Sequence, residues 1–392
     1  MTALTPKQAA QIAKKVYDLR KDADWDLRVA RGVEGLDTAF DINGMFTLNG
    51  GKRMNGTSGG TFLRARSGFG FIASGVGNRS NELLIAIRGT ASLFDGVTDL
   101  VQSVTRGPSG YMVHAGFHRT FDSFKEDIAA AIAGSNKPAT VHVVGHSLGG
   151  ALATITADFL SEQRTPVKLY TFGCPRVGFT GFSRSLTQKL GTQNMFRVHH
   201  SADVVSMVPI FPFSHTPINR DEYSLPWNGA SISVNAHFMD NYIQTIGDMN
   251  WDGLIRTNPE PSSWQQAEDW LKAAATNGGV CKMLSAGTLW MLMKCIDWIL
   301  DKIGTATNVV AGSAALIGVT VMDRLAQILY QGAAASVQVS SYVGNLMIAI
   351  LRFLGRAVVK TVSLTVQFIS WVLNMLYNVM SQIAHTALQR LF

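Results

Sequence analysis

Charge is what this 392-residue sequence has least of. Asp, Glu, Lys and Arg make up only 16% of it, below the roughly one quarter typical of soluble domains. The deficit is uneven: residues 1–257 hold 46 of the 61 charged side chains, and residues 303–392 hold six. The first part reads as an ordinary globular domain and the last as a region that avoids water. Cysteine is scarce too. Cys174, Cys281 and Cys295 are odd in number and lack zinc-like spacing, which excludes a disulfide framework and leaves at most one bridge, such as Cys281 with Cys295. No cofactor or metal is expected. No Lys/Arg stripe interleaved with aromatics is present, so nucleic acid is not an expected partner. The net charge of +7 fits either a solvated surface or attraction to anionic lipid. No internal repeat or low-complexity tract appears.

The N-terminus lacks the apolar stretch of a signal peptide, an expectation against general secretory export. Instead Thr5-Pro6-Lys7-Gln8 forms a capping box with Pro at the first helical position. Ile12, Val16 and Leu19 then repeat at helical spacing, which predicts a helix over 5–22. Residues 40–60, rich in Gly, Asn and Thr, read as loop or irregular β structure. Strands are expected at 69–75, 83–88, 141–144, 167–172 and 195–198. Helices are expected at about 119–133, with Phe121, Phe124, Ile128 and Ile132 on one face, at 147–163 and at about 180–190. This alternation indicates an α/β fold with a mostly parallel sheet covered on both faces. Arg256-Thr257-Asn258-Pro259-Glu260-Pro261 marks the end of the domain. The chain thus divides into 1–257, a linker with a short helix at 258–279, and an apolar all-α region at 280–392.

Two Gly-x-Ser-x-Gly runs occur. Gly56-Thr57-Ser58-Gly59-Gly60 lies in a glycine-rich stretch with no apolar strand before it and is read as a decoy. Gly145-His146-Ser147-Leu148-Gly149 follows the apolar Val141-His142-Val143-Val144 and opens a helix. That strand–turn–helix context is what a nucleophile elbow demands. Side chains at its glycines would collide with the neighbouring strand and helix, and the helix N-terminus presents free N–H groups where an oxyanion forms. A plain strand–Gly–helix junction is the alternative. A nucleophilic serine needs a base and an orienting carboxylate, in the order Ser, Asp or Glu, His. Asp203 stands just past a strand, where a parallel sheet places its chemistry; otherwise it caps a turn. His215 and His237 both lie downstream, and spacing alone does not choose between them.

Ile87-Arg88-Gly89-Thr90, Val113-His114-Ala115-Gly116-Phe117, the run Val144 to Ala153, Thr171-Phe172-Gly173-Cys174-Pro175-Arg176-Val177-Gly178, and Arg197-Val198 through Asp203 to Val208-Pro209 occur in order. Over roughly residues 80–245 this resembles the fungal-type (class 3) triacylglycerol lipase family, an α/β-hydrolase. The resemblance implies a lipid ester substrate and an acyl-enzyme. It implies a triad of Ser147, Asp203 and His237, since a His followed shortly by Tyr, here Tyr242, closes it, while His215 suits a noncatalytic place. It further implies an oxyanion contact from Thr90 beside the Leu148 N–H, and a lid at Ser92 to Val97.

Beyond the linker, residues 303–322, 325–351 and 361–389 carry no Asp, Glu, Lys or Arg, each long enough to cross about 30 Å of hydrocarbon as a helix. Membrane insertion is the favoured reading, with Arg352, Arg356 and Lys360 facing headgroups. A helical bundle wrapped on the hydrolase competes. With no signal peptide, the combination resembles type VI secretion lipase effectors, which implies delivery by a dedicated machine and a possible chaperone or immunity protein. A membrane-bound lipase without export, and a membrane-disrupting or channel-like protein with a carrier hydrolase domain, are the alternatives.

Overall fold

The computed structural model describes residues 2–17, 46–59, 64–89, 104–133, 137–209, 212–218, 222–229, 231–254, 256–257, 263–307, 321–357 and 363–391. Helix α1 (Pro6–Lys15) starts as its sequence dictates. Thr5 Oγ1 accepts the Gln8 N–H at 3.2 Å, while Gln8 Oε1 accepts the Thr5 N–H at 3.0 Å. Ile12 and Val16 are fully buried on its inner face; the expected residues 18–22 of this helix lie outside the described residues.

A long hairpin follows, β1 (Phe46–Gly59) with β2 (Arg64–Gly75), antiparallel and with two register shifts along the pair. The stretch expected as loop or irregular β is therefore an irregular strand from residue 46 onward. Its pairing uses backbone groups, which a count of apolar residues does not register. Ser58 sits on this strand opposite Ala65. Next come β3 (Glu82–Ile87), β4 (Val104–Arg106), β5 (Met112–His114), α2 (Ala115–Asp122) and α3 (Lys125–Ile132). The single helix expected at 119–133 is two, broken at Ser123–Phe124, and the first begins early because His114 Nδ1 caps the N–H groups of Gly116 and Phe117. Phe121, Phe124, Ile128 and Ile132 are nonetheless all buried.

The remaining elements of the first part are β6 (Thr140–His146), α4 (Leu148–Glu162), β7 (Val167–Phe172), β8 (Gly178–Phe179), α5 (Thr180–Leu190), β9 (Met195–His200), β10 (Phe213–Ser214), β11 (Glu222–Leu225), α6 (Met239–Ile246) and β12 (Arg256–Thr257). The main sheet has the order β1-β2-β3-β6-β7-β9-β11-β12, and β3, β6, β7, β9 and β11 are mutually parallel. Strands β10-β8-β5-β4 form a small antiparallel sheet. The short strands escape sequence reading because two or three residues carry no period. Both faces of the main sheet are covered. Phe71, Val144, Tyr170 and Phe196 pack towards α1 and α6, and Ile85, Val143 and Leu169 belong to the cluster that contains α4.

The C-terminal part consists of α7 (Ser263–Thr276), α8 (Ala286–Thr307), α9 (Val321–Ala335), α10 (Val337–Phe353) and α11 (Val366–Leu391). The helix expected in the linker is α7, and it is tied into this bundle: Tyr342 donates to Glu268 Oε1 at 2.9 Å, and Arg352 to the Ala274 carbonyl. All three cysteines are free and buried, so Cys281 and Cys295 are not bridged. Among the described residues no helix is long and apolar enough to cross a membrane. The charge-free run 325–351 breaks at Ser336, whose hydroxyl caps α10 by accepting the Val339 N–H. Leu325, Leu329, Leu346, Ile350, Leu373 and Leu376 are fully buried, in one continuous apolar cluster with Leu289, Ile296, Val143 of β6 and Leu152 of α4. What the helices hide from water is therefore, in large part, hidden against one another and against the sheet. Residues 308–320 and 358–362 lie outside the described residues.

Candidate active site

Strand β6 ends at His146, helix α4 begins at Leu148, and Ser147 alone makes the turn between them with φ +58° and ψ −131°. A non-glycine residue in that region is strained by about 1–3 kcal/mol and persists only when its surroundings over-determine it. Here the surroundings are tight. A Cβ on Gly145 would lie 2.3 Å from the Gly149 carbonyl oxygen, and one on Gly149 would lie 2.4 Å from the carbonyl oxygen of Ile87 on β3. The collision expected from the sequence is thus visible, and glycine lets α4 close on β6 and β3. Leu148 is the first residue of α4, so its N–H has no carbonyl one turn back and points out of the helix start.

Asp203 follows β9, and His237 lies in the turn Asn235–His237 that leads into α6. The structure brings all three together. His237 Nε2 lies 2.8 Å from Ser147 Oγ, and His237 Nδ1 lies 2.9 Å from Asp203 Oδ2. With Nδ1–H donated to the carboxylate, Nε2 keeps a lone pair facing the serine hydroxyl. Each of the three residues is fully buried. Asp203 makes two kinds of contact: Oδ1 caps the turn by accepting the Val205 N–H at 3.0 Å, while Oδ2 faces His237 Nδ1. Tyr242 donates its hydroxyl to Oδ2 at 2.7 Å and accepts the His200 N–H at 3.1 Å. Burial alone would raise the Asp203 carboxyl, but the charge and hydrogen bond of His237 and the Tyr242 hydroxyl outweigh it and hold it below its ordinary value. The carboxylate therefore stays ionised while Tyr242, pushed well above its ordinary value by burial and by Asp203, stays a donor.

Of the two histidines left open by spacing, His237 faces Ser147, whereas His215 Nε2 accepts from Arg176 Nε at 3.2 Å. Thr90 and the expected lid at 92–97 lie outside the described residues.

Further groups at the site carry no motif of their own. His146 Nε2–H donates to the His237 carbonyl at 2.8 Å, and its Nδ1 meets the Tyr17 hydroxyl at 3.0 Å. Burial lowers its pKa to about 3, consistent with a neutral ring holding that one tautomer. His200 Nδ1–H donates to the Ala236 carbonyl at 2.7 Å. Two imidazoles thus grip consecutive carbonyls of the segment that carries His237. Gly173, at φ +53°, lies against the pair itself: a Cβ there would stand 2.6 Å from Asp203 Oδ2 and 3.0 Å from His237 Nδ1. Arg197 on β9 pairs with Glu222 on β11 and donates through Nη2 to the Ser206 carbonyl at 2.9 Å and the Cys174 carbonyl at 3.3 Å. It fastens the loops that leave β7 and β9. Only the fact that Cys174, Arg197 and Ser206 stand in motif-bearing segments hinted at this from sequence.

A mostly parallel sheet, a strained serine between strand and helix, and Ser, Asp and His in that chain order at the carboxyl ends of β6, β9 and β11 define an α/β-hydrolase. Residues 84–213, a third of the chain, match the family model for lipase (class 3). The chain is 32% identical over 164 residues to a secreted mono- and diacylglycerol lipase of Fusarium solani, across 40% of this chain and 48% of that one. It is 34% identical over 152 residues to a chloroplastic phospholipase A(1) of Arabidopsis thaliana, across 33% of this chain and 34% of that one. The chain thus spans about half or less of the length of these relatives. Among solved structures it is similar to the lipase of Rhizopus microsporus var. chinensis, with a TM-score of 0.40 at 23% identity over 59% of this chain and 77% of the other.

Proposed function

We propose that this chain hydrolyses carboxylic esters of lipids through an acyl-enzyme on Ser147, acting on bilayer phospholipid or acylglycerol. The observation that carries the reading is the unbroken line Ser147 Oγ, His237, Asp203 at 2.8 and 2.9 Å. Ser147 Oγ attacks the ester carbonyl carbon as its proton passes to His237 Nε2. Asp203 holds the ring in the Nδ1–H tautomer and stabilises the imidazolium. The Leu148 N–H, at the positive end of α4, faces the developing oxyanion, with Thr90 as the second donor implied by the family. Collapse breaks the ester bond, and His237 returns the proton to the departing alcohol. Water, deprotonated by the same nitrogen, then releases the carboxylic acid and regenerates Ser147. Each donor removed from an oxyanion hole costs about 2.7–4 kcal/mol of transition-state stabilisation.

The named relatives, a mono- and diacylglycerol lipase and a phospholipase A(1), support a glycerolipid substrate. The C-terminal helices support one at a membrane surface: Trp371 and Tyr330 remain exposed on α11 and α9 while the opposite faces are buried. Contact of such aromatics with headgroups needs no spanning helix.

The test is mass analysis of products from vesicles containing phospholipid and triacylglycerol. Wild-type chain should release fatty acid. Ser147→Ala should lower the rate by at least about 10⁴-fold, while Ser58→Ala leaves it nearly intact. Lipolysis surviving Ser147→Ala would sink the assignment. Dye leakage from vesicles by Ser147→Ala, without lipolysis, would favour membrane disruption instead.

A further inference from the structure

The segment that carries His237 has two neighbours, and only one of them belongs to the hydrolase sheet. On one side the Ser233 N–H donates to the Ala202 carbonyl at 3.1 Å, and the imidazoles of His200 and His146 hold the carbonyls of Ala236 and His237. On the other side stands the turn that opens the C-terminal bundle. The Ile232 N–H donates to the Leu284 carbonyl at 3.1 Å, and Ser231 and Ser285 form an antiparallel bridge. The Leu284 N–H in turn donates to the Phe353 carbonyl at the end of α10, also at 3.1 Å. One continuous line of backbone hydrogen bonds therefore leads from the helical bundle to residues 231–232.

At the centre of this junction three methyl groups meet. Ala202, Ala236 and Ala286 form a small buried cluster, with Trp227 and Ile232 packed against it. Ala202 immediately precedes Asp203, Ala236 immediately precedes His237, and Ala286 is the first residue of α8. The contact tolerates nothing larger without moving one of its members, since Ala202 and Ala236 are fully buried and Ala286 is 5% exposed. The turn also holds strain. Leu284, whose carbonyl makes the bond to Ile232, has φ +46°, a left-handed value that a branched side chain adopts only under constraint.

We propose that the Leu284–Ala286 turn is a positioning element of the active site, through which the C-terminal helical bundle sets the distance between Asp203 and His237. This rests on the reading of Ser147 and His237 as nucleophile and base. Ala286 and Leu284 touch no reacting atom; they act by fixing the segments 202–203 and 231–237 against each other. A displacement of about 1 Å at such a place costs on the order of 10²-fold in rate, so the bundle is required for turnover even on a substrate that never meets a membrane.

The experiment uses the full chain, a short-chain water-soluble ester, and a fluorophosphonate probe that labels Ser147. Ala286→Leu wedges the three-alanine contact. Expected is a ten- to hundredfold fall in kcat and in the labelling rate, with KM within about twofold of wild type, and near wild-type values for Ala286→Ser. Leu376→Ala, in the bundle interior on α11, matches the loss of thermal stability without touching the junction and should label at the wild-type rate below its Tm. If Ala286→Leu does not fold, Leu284→Gly serves in its place. It removes the side chain but keeps the backbone hydrogen bonds of Leu284 in a freer turn, so kcat should fall several-fold at a Tm no lower than that of Leu376→Ala. Wild-type labelling rates in the junction variants, or an equal loss in Leu376→Ala at matched Tm, overturn the proposal while leaving the nucleophile assignment standing. A wild-type chain that neither labels at Ser147 nor cleaves the ester overturns both.

Discussion

Replacing Tyr242 by Phe removes one oxygen from the buried surroundings of Asp203. That oxygen donates to Asp203 Oδ2 at 2.7 Å and accepts the His200 N–H at 3.1 Å, in a site with no exposed surface. A hydrogen bond to a charged group contributes about 1.5–3 kcal/mol, and a buried N–H left without an acceptor adds about 1 kcal/mol or more. The ring itself still fills its place between His146, Phe172 and His200, so packing changes little. The expected loss at pH 7 is about 2–4 kcal/mol, a drop in Tm of roughly 5–10 °C for a domain of this size. The sign with pH follows from the carboxylate. Its folded pKa lies below its unfolded value near 3.9, so its contribution is complete above about pH 4 and disappears as pH falls through the folded value. Thermal melts of both proteins at pH 7, with kcat and KM on a soluble ester, form the assay. Turnover should fall about tenfold at unchanged KM as Asp203 loses an anchor. A variant melting within 1 °C of wild type and turning over within twofold would refute the argument that Tyr242 anchors Asp203.

Three further expectations follow from the same geometry. Gly173→Ala puts a methyl group 2.6 Å from Asp203 Oδ2 at a left-handed backbone position, and should lower kcat by about 10²-fold, measured on a soluble ester at fixed temperature. Glu222→Gln leaves Arg197 buried without its charge partner and should cost about 3–5 kcal/mol in urea unfolding. Acid should weaken the fold already between pH 7 and pH 5. Burial lowers His114 and His146 to about 3 and His142 to about 4, with the Arg119 charge adding to the effect at His114. The unfolded chain then binds more protons below the unfolded value near 6.5, so each histidine removes about 2 kcal/mol by pH 5. Asp158, raised by burial to about 6, works the other way and returns about 1.4 kcal/mol over the same range. A Tm that stays flat from pH 7 to pH 5 would contradict the neutral state of these rings.

The elbow was legible because its constraints are local: an apolar strand, Ser147 and the start of a helix lie within a dozen residues. The Thr5 box and the buried stripe Phe121, Phe124, Ile128 and Ile132 were legible for the same reason, although the break at Ser123 was not. The family resemblance favoured His237 over His215, and the turn before α6 places the His237 ring 2.8 Å from Ser147 Oγ. His146 and His200 could not be assigned at all from sequence. Each acts on a backbone carbonyl more than 30 residues away, and a carbonyl leaves no mark in a sequence.

The C-terminal region shows the same limit from the other side. Its composition shows only that residues 303–392 carry six charged side chains, because charge is a property of the side chains present. What they are shielded by is a property of three-dimensional neighbours. Ser336 breaks one charge-free run into two helices, α7 joins them, and Ala286 brings the bundle against Ala202 and Ala236 beside the triad. By itself the sequence located the strand–Ser147–helix elbow and showed that charge is scarce beyond residue 302. Only the tertiary structure decided what that tail packs against, since contacts between residues 50 to 90 positions apart depend on the path of the chain and not on its local period.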